Sequence, residues 1–132
     1  MVATVCDDKH IVLVVDDEEV IEEMMGELIE EYGCPHVSFH DPVKALQHYE
    51  ENSLDISLMV TDLTMPSMSG SDLIRKVLEI NPNLPIMLIT NYYGEKIPGD
   101  IPPLVRGTVV KPFTKAEFFH ALREMVVMAE RS

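Results

Sequence analysis

Short apolar blocks alternate with helical stripes along the chain. Ile11–Val15 is a run of five apolar, mostly β-branched residues, which predicts a strand buried on both faces, as in a parallel sheet. From residue 18 to residue 32 the apolar positions, starting at Val20, recur with helical spacing, and Gly33 follows as a stop, so a helix is predicted there. The remaining predicted elements are a strand at 36–39, a helix begun by Asp41 and Pro42, a strand at 56–61, a helix at 69–80 and a strand at 85–89. A last strand is predicted at 108–110, with Leu104 as an alternative start, and a closing helix begins at Thr114.

This alternation predicts an α/β fold: a doubly wound, five-stranded parallel sheet with helices on both faces. The segment 91–105 breaks the rhythm, because its two glycines and three prolines cannot support a regular helix. The fourth helix of the alternation is therefore expected to be short, irregular or missing. A chain of 132 residues has the size of one domain, so residues 1–132 are expected to form a single unit with residues 1–9 as a short N-terminal arm.

Composition and charge exclude several classes of protein. Ten Lys and Arg against 23 Asp and Glu give a net charge of −13, which repels nucleic acid. No apolar run approaches the roughly 20 residues of a membrane helix, and residues 1–9 lack the apolar core of a secretory signal, so a cytoplasmic location without membrane insertion is predicted. Cys6 and Cys34 lack metal-ligand spacing and are expected to be reduced thiols.

Polar side chains follow four of the predicted strands. They are Asp16 and Asp17 after the first strand, Asp62 after the third, Thr90 after the fourth and Lys111 after the fifth. In open parallel sheets the ligand site lies outside the carboxyl ends of the strands, so these residues are expected to converge. Three converging carboxylates repel one another unless a cation lies between them, and oxygen ligands suit Mg²⁺ or Mn²⁺.

Asp62 is the candidate phosphoryl acceptor within this group. A carboxylate is already ionised at neutral pH and needs no general base to attack phosphorus. Asp16 and Asp17 are predicted to hold the metal, Lys111 to pair with the phosphoryl oxygens, and Thr90 to donate its hydroxyl to the same group.

Together these motifs resemble the receiver domain of bacterial response regulators over nearly the whole chain. The motifs are Val-Val-Asp16-Asp17-Glu18, Thr61-Asp62-Leu63-Thr64-Met65-Pro66 with Gly70, Leu88-Ile89-Thr90, and Lys111-Pro112-Phe113. The resemblance implies a flavodoxin-like fold with strand order 2-1-3-4-5 and a cis bond before Pro112. It also implies Mg²⁺ bound by Asp17, Asp62 and the Thr64 carbonyl, with Asp16 acting mostly through water.

The same resemblance implies a function that is not enzymatic. Asp62 would receive a phosphoryl group from a sensor histidine kinase or a phosphotransfer protein, and the resulting conformational change would alter partner interactions. The segment from Leu88 to Tyr92 also resembles that of receivers fused to a sensor kinase, which implies such a fusion outside these residues as an alternative to a stand-alone domain. Two alternatives are a degenerate receiver that acts as an interaction module, and an aspartyl-phosphate phosphotransferase, although the second acid usual in such enzymes is replaced here by Thr64.

Three residues depart from the family pattern. Thr108 stands where an aromatic residue usually lies three positions before the lysine, and Asn91 follows Thr90 where a small residue is usual. Tyr92 comes next and is also bulky. These differences are expected to alter the lifetime of the phosphoryl group and the use of a threonine-and-aromatic switch.

Overall fold

The computed structural model describes residues 11–91 and 106–130, which form a parallel sheet flanked by helices. The strands are β1 (Ile11–Val15), β2 (His36–Phe39), β3 (Ile56–Asp62), β4 (Ile86–Thr90) and β5 (Arg106–Val110). The helices are α1 (Glu19–Tyr32), α2 (Pro42–Asn52), a short 3-10 helix (Ser53–Asp55), α3 (Gly70–Ile80) and the closing helix α4 (Lys115–Glu130). The strand order is β2-β1-β3-β4-β5, which confirms the predicted doubly wound fold.

Two predicted features lie outside the described residues: the arm at 1–9 and nearly all of the irregular segment at 91–105, of which only Asn91 is described. Among the described helices, none has the length and apolar character needed to cross a bilayer.

The sheet is covered on both faces by separate hydrophobic cores. Alternate residues of a strand point to opposite faces, so Leu13 and Val15 belong to one core and Val12 and Val14 to the other. The first core includes residues of α2 and α3, among them Ala45, Tyr49, Leu73, Ile74 and Val77. The second includes residues of α1 and α4, among them Met25, Ile29, Phe118 and Leu122. Burial on both faces explains why the strands are nearly continuous apolar runs.

The helices begin and end where the capping residues predict. Gly33 adopts φ 108°, a left-handed conformation that suits glycine, and ends α1. Asp41 and Ser69 each accept a backbone N–H bond in the first turn of α2 and α3. Thr114 and Glu117 form reciprocal side-chain to backbone bonds at the start of α4, a capping box. Local sequence therefore sets the bounds of these helices.

Two expectations are wrong. Val20 is 76% exposed instead of lying on the inner stripe of α1, while Glu22 is buried. At 3.6 residues per turn, Val20 lies about 140° and 180° around the helix from the buried Met25 and Ile29, so it faces away from the sheet.

Cys34 is disulfide-bonded rather than a reduced thiol, and the other half of the bond lies outside the described residues.

Candidate functional site

The pairing of β1 with β3 brings two aspartates together. Val15 lies beside Thr61 in the parallel register, so Asp16 comes next to Asp62 at the carboxyl edge of the sheet. Asp16 has 0% and Asp62 1% of its surface exposed. Both carboxylates are therefore held at the end of the sheet in a largely dehydrated environment.

The pairing of β4 with β5 brings Lys111 to the same edge. Thr90 lies beside Val110, and the backbone N–H of the next residue, Lys111, donates to the Thr90 carbonyl at 2.7 Å. Thr90 is the last residue of β4 and is buried. The Lys111–Pro112 peptide bond is cis, as the resemblance implied.

Asp16, Asp17 and Asp62 form a cluster that fits a divalent cation. Each offers a carboxylate oxygen, and these oxygens lie within 4.8 Å of one another. Oδ2 of Asp16 is buried and accepts no hydrogen bond among the described residues. A buried carboxylate oxygen without a hydrogen-bond donor, next to two further carboxylates, is the environment that a hard cation favours.

Lys111 is surrounded by three carboxylates. Its Nζ donates to Asp62 Oδ2 at 3.0 Å and to Glu18 Oε1 at 3.1 Å. It also lies 3.0 Å from Asp16 Oδ2, as an ion contact without hydrogen-bond geometry. Sequence reasoning did not assign Glu18 to the site, because a glutamate that starts a helix is usually a solvated residue near the positive end of the helix dipole.

Backbone N–H groups orient the two buried carboxylates. Asp16 Oδ1 accepts from the Glu18 N–H at 2.9 Å, and Asp62 Oδ1 accepts from the Thr64 N–H at 3.1 Å. In each aspartate, therefore, one oxygen is bound to the loop that follows and the other points toward Lys111. This division fixes the rotamer of each carboxylate before any ligand binds.

The electrostatics of the site are dominated by burial. Burial raises the pKa of Asp62, although the hydrogen bonds from Lys111 and from the Thr64 N–H oppose this effect. Burial likewise raises the pKa of Asp16 against the Glu18 N–H and Lys111. Burial disfavours the charge of Lys111, but its contacts with Asp62 and Asp16 outweigh this and raise its pKa above the ordinary value. The lysine therefore remains charged at neutral pH.

The loop after Asp62 is held against the end of β3 by Gly70. The Gly70 N–H donates to the Leu63 carbonyl at 2.9 Å. A Cβ on Gly70 would overlap the Asp62 carbonyl oxygen and come within 2.8 Å of Leu63 Cα. Only glycine permits this close approach of the loop to the strand that carries Asp62.

Three of the other residues singled out from the sequence, Thr64, Asn91 and Thr108, lie within the described part of the chain. Thr64 and Asn91 are exposed, two residues after Asp62 and one after Thr90. Thr108 is exposed on β5 beside Leu88, so no aromatic ring lies at that position. Tyr92 lies outside the described residues.

Comparison with known proteins gives a consistent family. Residues 12–123 match the response regulator receiver domain family. The response regulator receiver protein CpdR of Brucella abortus is 27% identical over 119 residues, which cover 89% of this chain and 98% of CpdR. The autoinducer 1 sensor kinase/phosphatase LuxN of Vibrio harveyi is 30% identical over 111 residues, 84% of this chain but only 13% of LuxN.

Solved structures agree on the fold. A response regulator receiver domain protein from Clostridium thermocellum superposes with a TM-score of 0.76 at 23% identity, covering 92% of this chain and 98% of that one. Since the family match covers most of the chain and the sheet order is that of receiver domains, the chain belongs to the response regulator receiver domain family of two-component systems.

Proposed function

We propose that Asp62 accepts a phosphoryl group and that its phosphorylation alters how this domain contacts its partners. The observation that carries the proposal is the buried Asp62 carboxylate, which lies beside Lys111 and within the cluster formed with Asp16 and Asp17. Such a carboxylate has a cationic donor at 3.0 Å and neighbours suited to a metal, which are the two requirements of phosphoryl transfer to an oxygen nucleophile.

In the proposed transfer, one bond to phosphorus forms as another breaks. A carboxylate oxygen of Asp62 forms a new bond to phosphorus, the bond from phosphorus to the donor's histidine nitrogen breaks, and the electron pair remains on that nitrogen. The donor is a sensor histidine kinase or a phosphotransfer protein. No step turns over a substrate, so the domain is proposed to be a signalling module and not an enzyme.

The residues proposed to hold Mg²⁺, or Mn²⁺, are Asp16, Asp17, Asp62 and the Thr64 carbonyl. A bound divalent cation neutralises charge on the phosphoryl oxygens. The chain itself prepares the site, because the N–H groups of Glu18 and Thr64 fix the two buried carboxylates.

Lys111 and Thr90 are proposed to contact the phosphoryl group after transfer. Lys111 is charged and has three N–H donors, so it can exchange a carboxylate contact for a phosphoryl oxygen. Thr90 lies buried at the end of the neighbouring strand and is proposed to donate its hydroxyl. Because Thr108 is exposed and lacks a ring, we propose that the response of Thr90 reaches partners by a route other than an aromatic side chain on β5.

The wider setting is also proposed. We infer that the chain functions as one receiver domain in the cytoplasm, without binding nucleic acid directly, and that it works alone or as part of a larger kinase. The charge of −13 supports the exclusion of nucleic acid. The LuxN match supports the kinase possibility only in part, since this chain spans 13% of that sensor kinase.

The decisive experiment is the mass of the intact protein after incubation with acetyl phosphate and Mg²⁺. A single phosphoryl adduct is expected, and it should be absent from Asp62→Asn and from a sample with EDTA. An unmodified wild-type protein that still binds Mg²⁺ would leave the acceptor role unsupported. If neither the adduct nor Mg²⁺ binding is seen, the domain is a degenerate receiver that acts as an interaction module.

A further inference from the structure

Three carboxylate oxygens already contact the Lys111 ammonium group, two of them as hydrogen-bond acceptors. Oxygens of Asp62, Asp16 and Glu18 lie 3.0, 3.0 and 3.1 Å from its Nζ. Two of the three N–H donors of the ammonium group are thereby engaged. A phosphoryl oxygen therefore competes with the three carboxylates for contact with Lys111.

The three carboxylates differ in the free-energy cost of losing their contact with Lys111. The side chains of Asp16 and Asp62 are 0% and 2% exposed, so losing the lysine would leave a buried charge without its cation. The Glu18 side chain is 58% exposed, so water can replace the lysine around it. Glu18 is thus the contact that yields at the lowest cost in free energy.

The local structure also separates Glu18 from an ordinary capping role. Glu18 occupies the N-cap position of α1, yet its side chain makes no cap hydrogen bond to that helix. Its carboxylate instead reaches across the sheet edge to Lys111, 93 residues away in sequence. The side chain therefore contributes to the site and not to the start of the helix.

We propose that Glu18 is a positioning residue that holds Lys111 in the resting state and competes with the incoming phosphoryl group for it. The inference rests on the proposed function, and it adds a built-in restraint on how readily Asp62 is phosphorylated. The Glu18 and Asp62 oxygens contact the same nitrogen at 3.1 and 3.0 Å, so they lie within about 6 Å of each other. Glu18 also repels an oxyanion at Asp62.

The test measures two affinities of the full chain: that for Mg²⁺ alone, and that for beryllofluoride, a tetrahedral phosphoryl mimic, at saturating Mg²⁺. Calorimetry or NMR titration serves for both. Glu18→Gln should bind beryllofluoride about three- to tenfold more tightly, the factor expected for removing one charge at this distance and one partly exposed ion pair. Its Mg²⁺ affinity should not rise, because a negative charge near the cluster has been lost. If the substitution instead loosened the site, the variant would bind both Mg²⁺ and beryllofluoride less tightly than the wild type.

Two further variants separate contact from charge. Glu18→Asp keeps the charge but has a shorter side chain that does not reach Lys111, and it should bind beryllofluoride more tightly than the wild type. Glu23→Gln changes the net charge equally on an exposed position of α1 and should alter neither affinity by more than about twofold.

The outcomes distinguish this inference from the function on which it rests. Tighter beryllofluoride binding by Glu18→Gln and Glu18→Asp, but not by Glu23→Gln, supports the restraint. If the wild type binds beryllofluoride but Glu18→Gln binds it with unchanged or lower affinity, the restraint is overturned and the acceptor role is left intact. A Glu18→Asp variant with the wild-type affinity for beryllofluoride leads to the same conclusion. A wild-type protein that binds no beryllofluoride and gains no phosphoryl adduct overturns both.

Discussion

Replacing Asp62 with asparagine is expected to stabilise the metal-free fold at neutral pH. The Asp62 carboxylate is buried, and its oxygens lie within 4.8 Å of oxygens of Asp16 and Asp17. The substitution removes both repulsions and the cost of burying the charge. Lys111 loses one acceptor but keeps its contacts with Asp16 and Glu18, so it is not left unpaired.

The magnitude follows from the distances. At an effective dielectric constant of about 20, a repulsion at 4.8 Å, the upper limit of these separations, is worth about 3.5 kcal/mol, and the lost attraction at 3.0 Å is worth about 5.5 kcal/mol. At this limiting separation the two repulsions outweigh the lost attraction by about 1.5 kcal/mol. We therefore expect the free energy of unfolding to rise by about 1 to 2 kcal/mol, and Tm to rise by about 3 to 6 °C.

The pH dependence gives an independent check. Burial raises the pKa of Asp62 above 3.8, so the folded protein favours the protonated carboxyl. The contribution of the Asp62 carboxyl to the free energy of unfolding is fully present at low pH and is lost as the pH rises through the raised pKa. The gain in the free energy of unfolding that Asp62→Asn gives should consequently be present at pH 7. It should vanish when the pH falls below 3.8, the ordinary pKa of an aspartate.

The assay is urea unfolding in EDTA and in Mg²⁺, with Asp55→Asn as a control that removes an equal charge from an exposed position. Mg²⁺ at ten times its Kd should stabilise the wild type by about 1.4 kcal/mol and Asp62→Asn by less, because one proposed ligand is gone. The reasoning is refuted if Asp62→Asn is less stable than the wild type in EDTA at pH 7, or if Asp55→Asn gives an equal gain.

Three further predictions concern residues that surround Asp62. Lys111→Met should destabilise the metal-free protein by about 3 to 5 kcal/mol because two buried carboxylates lose their cation, and it should tighten Mg²⁺ binding in calorimetry, since Lys111 competes for the same oxygens; weaker binding would contradict this. Gly70→Ala should lower the free energy of unfolding, measured in urea, by about 1 to 3 kcal/mol and should reduce phosphorylation of Asp62. An unchanged free energy of unfolding would mean that the loop shifts to accommodate the added methyl group. Ser69→Ala removes the 3.1 Å bond that Ser69 accepts from the Asp72 N–H and should cost about 1 kcal/mol in urea, with Ser69→Asp restoring the loss.

The elements themselves were predictable because their signals are local. The β-branched run of β1 and the stop at Gly33 need no knowledge of the rest of the chain. The parallel sheet then followed from the alternation of elements, and the polar residues at strand ends identified Asp16, Asp62 and Lys111 as neighbours. Val20 was misassigned, because a stripe of apolar residues defines a face only to within the width that the packed sheet covers.

The sequence by itself determined the order of elements, the sheet and the carboxylates at its edge, because strand ends in a parallel sheet are fixed by topology. Only the tertiary structure decided which oxygen each side chain contacts. The reach of Glu18 to Lys111, the close approach of Gly70 to Asp62 and the burial that raises the pKa of Asp16 depend on distances between segments far apart in sequence. No local pattern encodes these distances, since they arise from how the two cores pack the strands and loops together.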